Sequence, residues 1–247
     1  MLLAAENDAQ RRRVIVTVNS LIRNAKALFS RRLIQHIKER IPIPEVLPLE
    51  GVPLDKAPST RYRSRTNAVE VLKAARVNLL DKHPECYMIV CLALQCGLRR
   101  AEIDSLLWRS VDLVRRVIHV ESNEYYHLKS EDSQGEVDIG DTLLENLRKF
   151  KKRATGVFVI ESELPASLHR SSGAYRCQQH FTFVTNWLRK LGIKVDRPLH
   201  ELRKEVGSVI AQEHGIFAAS RFLRHSDIRI TSNYYIDKKQ TVVPSFG

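Results

Sequence analysis

The sequence predicts a mainly α-helical protein with a small antiparallel β-sheet, and three observations predict it. Apolar residues recur at helical spacing through most of the chain; the period drops to two only between residues 117 and 140; and Gly97, Gly135, Gly192 and Gly215 fall where one patterned stretch gives way to the next. The 247 residues suit one large domain or one domain with a small appendage, and a hydrophobic content of 43% supplies a core.

Residues 14–40 carry Val18, Leu21, Ile22, Ala25, Leu28, Phe29, Leu33 and Ile37 at the i, i+3, i+4 spacing of one amphipathic helix. Its opposite face is basic through Arg23, Lys26, Arg31, Arg32 and Lys38, which serve either as phosphate contacts or as a solvated face. A lone helix cannot bury its own apolar side, so this one needs a partner surface. Five of the nine prolines, Pro42, Pro44, Pro48, Pro53 and Pro58, then fall within 41–60 and exclude continuous helix or central strand there, which marks a linker. Arg61, Arg63 and Arg65 follow at alternate positions, as a segment tracking a phosphate backbone or as ordinary surface charge. The expected organisation is therefore 1–40, a linker over 41–60, and a main domain over 61–247.

In the main domain, Ala68, Val69, Val71, Leu72 and Ala75 open a helix. Residues 86–96 are almost wholly apolar, a core helix that Gly97 closes. Ile103, Leu106, Leu107 and Trp108 continue as a further helix, with Arg99 at the corner between the two. Three short strands are expected at 117–120, 125–128 and 136–139, with Gly135 in the last turn and Lys129 at the hairpin end. Helices at 142–152 and 175–191, a short strand at 157–160 and a helix from Pro198 to about Glu213 complete the pattern. Ser226 is placed to cap a final helix bearing Tyr234 and Tyr235.

Composition narrows the partners. Forty Lys and Arg against 28 acidic residues give a formal charge of +12, which points to polyanions. No run approaches the roughly 18 apolar residues of a spanning helix, and charges at Glu6, Asp8 and Arg11 to Arg13 stand where a signal peptide would be apolar. An intracellular, cytoplasmic protein without membrane attachment is expected. Cys86, Cys91, Cys96 and Cys177 contain no Cys-x-x-Cys pair, and the five-residue spacing spreads the first three around a helix. Buried reduced thiols and no zinc are the expectation.

The chemistry gathers near the C-terminus. His200 and Arg203 are three apart and share a helix face, so both can reach one phosphodiester. His225 and two tyrosines follow within ten residues. A tyrosine titrates near pH 10 in water, so it becomes a useful nucleophile mainly where cations stabilise the phosphoryl group it attacks. Taken one at a time, each residue has an ordinary reading: Arg99 as a capping cation, the histidines as satisfied side chains, Lys129 as a solvated lysine, Tyr234 as packing.

Together, in the order Gly97-Leu98-Arg99-Arg100-Ala101-Glu102, Lys129, His200-x-x-Arg203, Leu223-x-His225 and Tyr234, they resemble the tyrosine recombinase (phage integrase) family over about residues 60–240. The resemblance implies that Arg99 and Arg203 clamp a scissile phosphate, that His200 hydrogen-bonds a non-bridging oxygen and assists proton transfer, and that His225 stabilises the phosphate or orients the nucleophile. It makes Lys129 the general acid for the leaving 5′-hydroxyl and Tyr234, nine residues after His225, the nucleophile in preference to Tyr235. Glu102 is expected to pair with backbone or an arginine. No cofactor or metal is implied. The partner implied is double-stranded DNA, bound as a homotetramer on two sites.

The sequence departs from the family in three places. Arg224 stands where members usually have glycine, 204–208 is less apolar than usual, and about 60 residues before the catalytic part leave room only for a remnant of the core-binding domain, as in a truncated fragment or a minimal or decayed relative. Weaker DNA binding is expected from that. A type IB topoisomerase uses the same arginine and tyrosine logic, and an inactive DNA-binding relative is the alternative outside catalysis. A metal-dependent nuclease ranks last, because no carboxylate cluster lies near the basic motifs.

Overall fold

The computed structural model describes residues 8–56, 66–128, 133–164, 175–225, 228 and 231. The chain divides into two compact units, residues 1–60 and 61–247. In the first, the single helix expected over 14–40 is two. Helix α1, Asp8–Ala27, ends in a tightening turn where Leu28, Phe29 and Ser30 each donate to a carbonyl three residues back, and Ser30 then turns extended before α2, Arg31–Ile37. The inward stripe differs too. Ile15 and Asn19 are buried, whereas Leu21 and Leu28 are each 63% exposed. Asn19 explains the difference. Its Nδ2 donates to Asp55 O at 2.8 Å and its Oδ1 accepts from Asp55 N at 3.0 Å, while Lys26 Nζ donates to Val52 O at 2.7 Å. The proline-rich stretch, poor in backbone donors of its own, thus returns alongside α1 through side chains of that helix. Lys26 is thereby taken from the basic face proposed for it.

The second unit is organised around α4, Pro84–Gln95, whose nine residues from Cys86 to Leu94 are all buried. Proline at its first turn and continuous apolar character suit a helix covered on every side. It packs against α3, Ala68–Asn78, which Asn67 caps through Oδ1, and against α6, Asp141–Arg153, α7, Gln178–Lys190, and α8, Pro198–Phe222. All four cysteines are buried and free, and loss of solvent pushes the thiols of Cys86, Cys91 and Cys96 up to about 12.

Three local expectations change. The helix expected through Trp108 stops early: α5 is only Arg100–Asp104, because Trp108 N donates to Val157 O and Val159 N donates to Leu106 O, drawing this stretch into extended pairing. Residues 157–160 accordingly form one antiparallel bridge, Leu107 with Phe158, instead of a strand. Residues 125–128 are not a strand either, since Asn123 closes a tight bridge with Tyr126 and its Oδ1 accepts from Tyr125 N.

The sheet contains a strand that the periodicity does not reveal: β1, Val111–Asp112, pairs antiparallel with β2, Val117–Val120, which pairs with β3, Gly135–Asp138. Asp112 Oδ1 accepts from Val114 N and Arg115 N and so makes the turn between β1 and β2. At two residues, β1 is too short for alternation to show. Helix α8 is interrupted at Gly215, whose φ of 83° and ψ of 169° only glycine adopts readily.

Candidate active site

Gly97 ends the core helix with φ 56°, and a Cβ there would meet Phe222 Cε1 at 3.1 Å and Leu223 Cδ2 at 3.2 Å. Glycine is needed both for the turn and for the close approach of the α8 terminus. The chain then enters α5 with Arg99 as its N-cap. Glu102, three residues on, reaches back: Oε2 accepts from Arg99 N at 2.7 Å and Oε1 from the Arg99 guanidinium at 2.7 Å. This is the carboxylate half of a capping box, here also used to aim an arginine. The Arg99 side chain keeps 32% of its surface open.

The opposite wall is the end of α8. Arg224 N donates to Arg221 O and His225 N donates to Ser220 O, with Arg224 at φ 52°. These are the two hydrogen bonds of a Schellman turn, with Arg224 in the left-handed position that glycine normally fills. The turn that glycine usually makes is therefore present, at a conformational cost of about 1–2 kcal/mol for a residue with a Cβ. Its carbonyls hold both arginines. Arg99 donates to Arg224 O at 3.3 Å, and Arg203, buried on α8, donates to Leu223 O and Gly97 O.

His200 lies one turn before Arg203 on an exposed part of α8. Partial withdrawal from solvent and the cations Lys204, Arg203, Arg197 and Arg99 push it down to about 4. His225 is half-buried. Desolvation first, then Arg203, Arg99, His200 and Arg224, push it to about 4 as well. Both rings are neutral at pH 7, and their shared charged neighbours place them in one cluster. His225 Nδ1 lies 2.8 Å from the hydroxyl of fully buried Thr231. When that hydroxyl donates to Nδ1, the ring proton sits on Nε2, available to a phosphate oxygen.

Arg99, His200, Arg203 and His225 are thus gathered from α5, α8 and the turn behind α8. Burial alone would raise the Glu102 carboxyl, but Arg224, Arg203 and Arg99 more than offset it and hold it below the usual carboxylate range. Lys129, Tyr234 and the rival Tyr235, the capping Ser226, and Arg61, Arg63 and Arg65 lie outside the described residues. Beyond 129–132, Gly135 lies against this cluster: a Cβ on it would stand 3.3 Å from Arg224 Cδ. Sequence reasoning missed Thr231, which is signalled only by standing six residues after His225. It also missed that the Arg224 side chain turns inward to Glu102, at 2.7 Å. Among the described residues there is no group of three His, Cys, Asp or Glu able to hold a metal, and no helix is long and apolar enough to cross a membrane.

No curated protein sequence matches the chain. Its fold is similar to that of the Tn1549 transposon integrase in complex with a circular intermediate DNA, with a TM-score of 0.61 at 18% identity, covering 91% of this chain and 76% of that one. It is also similar to XerA recombinase, with a TM-score of 0.53 at 19% identity over 84% and 68% of the two chains. A lambda integrase tetramer bound to a Holliday junction gives 0.57 at 17% identity over 97% and 63%. The phage integrase family profile matches residues 65–241, most of the chain. The chain therefore belongs to the phage integrase family, the tyrosine recombinases that carry out site-specific DNA recombination.

Proposed function

We propose that this chain cleaves and rejoins double-stranded DNA by transesterification through a 3′-phosphotyrosine. The observation that carries the reading is the convergence of Arg99, His200, Arg203 and His225 on one cationic cluster, fixed by the turn at 223–225. Arg99 and Arg203 offset the charge that builds on the phosphoryl oxygens in the pentavalent transition state, an effect worth several kcal/mol in such sites. Tyr234 Oη forms the bond to phosphorus as the bond to the 5′-oxygen breaks. Lys129 gives its proton to that oxygen, and neutral His200 receives the tyrosine proton. His225 donates through Nε2 to a non-bridging oxygen.

The phosphodiester energy stays in the tyrosyl link, so a 5′-hydroxyl from a second DNA end reverses the step without an external energy source. Exchange of two duplexes takes four such transfers, which supports a homotetramer on two sites; the lambda integrase tetramer on a Holliday junction has a similar fold. Residues 1–40 act as core-binding helices, 41–60 as the connection, and Arg61, Arg63 and Arg65 as backbone contacts at the start of the catalytic domain, in keeping with the +12 charge.

The test is a nicked, end-labelled duplex built from candidate attachment sequences in the DNA flanking the gene. A covalent protein–DNA adduct is expected from the wild type and from Tyr235→Phe, insensitive to EDTA, and absent from Tyr234→Phe. Adduct retained in Tyr234→Phe but lost in Tyr235→Phe reassigns the nucleophile. Relaxation of supercoiled plasmid with no exchange between paired sites would move the reading to a type IB topoisomerase activity.

A further inference from the structure

Arg224 occupies a position that its backbone would give to glycine, with φ 52° at the end of α8, yet its charged side chain is buried. The Arg224 side chain is 3% exposed and that of Glu102 2%, joined at 2.7 Å. The guanidinium also donates to Phe222 O at 3.4 Å, and its Nε has no hydrogen-bond acceptor among the described residues. Room for it is made by Gly135, where any Cβ would crowd Arg224 Cδ at 3.3 Å. A strained backbone, a buried charge and a glycine cleared on a neighbouring strand are three separate costs at one residue, and a role in filling space needs none of them.

The charges supply the reason. Glu102 fixes Arg99 twice, through its backbone N–H and its guanidinium. Alone, that carboxylate would cancel one of the two positive charges, Arg99 and Arg203, that a phosphate must meet. We propose that Arg224 is a positioning residue of the phosphate clamp: it neutralises Glu102 from behind, so that Glu102 aims Arg99 without subtracting from the clamp's charge. Three guanidinium groups then face one carboxylate, and the surplus is two. The backbone of the same residue helps, since Arg224 O accepts from Arg99 at 3.3 Å, but a glycine would supply that carbonyl equally well. What is specific to arginine is the charge.

This inference rests on the clamp assignment of the proposed function, and the test separates the two. Binding of inorganic phosphate is measured by NMR titration of arginine-Nε-labelled protein, alongside single-turnover adduct formation at saturating nicked duplex. Arg224→Gly, which relieves the backbone strain, is expected to weaken phosphate binding and slow cleavage each at least about tenfold, as loss of one partner of a buried charge pair does, while Kd for the duplex changes little. Arg224→Lys retains most of both. The double variant Arg224→Gly/Glu102→Gln folds without an unpaired buried carboxylate and regains part of the phosphate affinity lost by Arg224→Gly, part only because the amide keeps one of the two acceptor oxygens that hold Arg99, whereas a space-filling arginine would allow no recovery. Phosphate affinity unchanged in Arg224→Gly, or left unrescued by Glu102→Gln, overturns the proposal. If the phosphate series behaves as expected but the wild type forms no adduct, strand cleavage fails and the role of Arg224 stands; a cleaving wild type with a flat phosphate series gives the converse.

Discussion

In the C-terminal unit α4 is buried along nine consecutive residues and is packed by α3, α6, α7 and α8, whereas α1 in the N-terminal unit buries Ile15 and Asn19 alone among its residues with described side chains and leaves Val16 and Leu21 exposed. Helix α4 is almost wholly apolar and is the centre of a core, whereas α1 carries charged and polar residues over much of its surface and is the wall of a small unit closed by polar contacts. Apolar periodicity states which face wants covering; the amount of chain available to cover it decides whether that happens. The C-terminal unit buries a continuous apolar core around which the strained, charged Arg224 is held, while the proline-rich stretch of the N-terminal unit is tied to α1 by hydrogen bonds from Asn19 and Lys26.

The largest test of this contrast is truncation of one apolar side chain in each unit. Ile89→Ala, at the fully buried centre of α4, is expected to cost about 2–5 kcal/mol in a urea titration of the C-terminal unit, through lost transfer energy and the cavity left behind. Leu21→Ala, at 63% exposure, is expected to stay within about 0.5 kcal/mol. Comparable losses would mean that the apolar face of α1 is covered in solution.

A smaller effect distinguishes the units by pH. His225 is held at about 4 in the folded state, against about 6.5 in an unfolded chain. The unfolded chain therefore takes up the proton first, and the C-terminal unit loses stability as pH falls below 6.5, the loss levelling off near 4. Allowing for partial solvent screening, His225 contributes roughly 2 kcal/mol to this slope; exposed His200, pushed the same way, adds less. Urea midpoints between pH 7 and 4.5 read the effect, and His225→Asn is expected to flatten it. A wild-type slope identical to that of His225→Asn would remove His225 from the charged cluster.

The helices at 68–78, 84–95, 141–153, 178–190 and from Pro198 were legible because each buries a stripe or a whole surface that the sequence repeats for several turns. The shared helix face of His200 and Arg203 was legible from their spacing of three, whereas Arg99 and His225 were picked out only by the order of motifs in the family resemblance, and the roles of all four remain part of the proposal. Features set by a single polar side chain, near or far in sequence, were not legible. Asp112 makes the β1–β2 turn, Asn123 replaces a strand by a bridge, Thr231 places its hydroxyl 2.8 Å from His225 Nδ1, and Asn19 holds a segment 36 residues away. Arg224 was noticed only as a departure, since nothing local discloses that its partner, Glu102, is 122 residues away in sequence. Polar contacts of this kind follow from the packing and have no period of their own.

The smallest expected effect tests the polar closure of the N-terminal unit. Asn19 forms both hydrogen bonds to the backbone of Asp55, as acceptor at 3.0 Å and donor at 2.8 Å. Asn19→Ala removes them, and the Asp55 amide, which is near the surface, can turn to water in exchange, so the net cost is about 1 kcal/mol. Amide hydrogen exchange at Asp55 is then expected to quicken about fivefold, while exchange along α4 stays as in the wild type. Asn19→Leu separates bonding from packing, because it restores the volume and not the hydrogen bonds. Asp55 remaining protected in Asn19→Leu would show that packing on α1, and not the asparagine amide, holds the proline-rich segment against the helix.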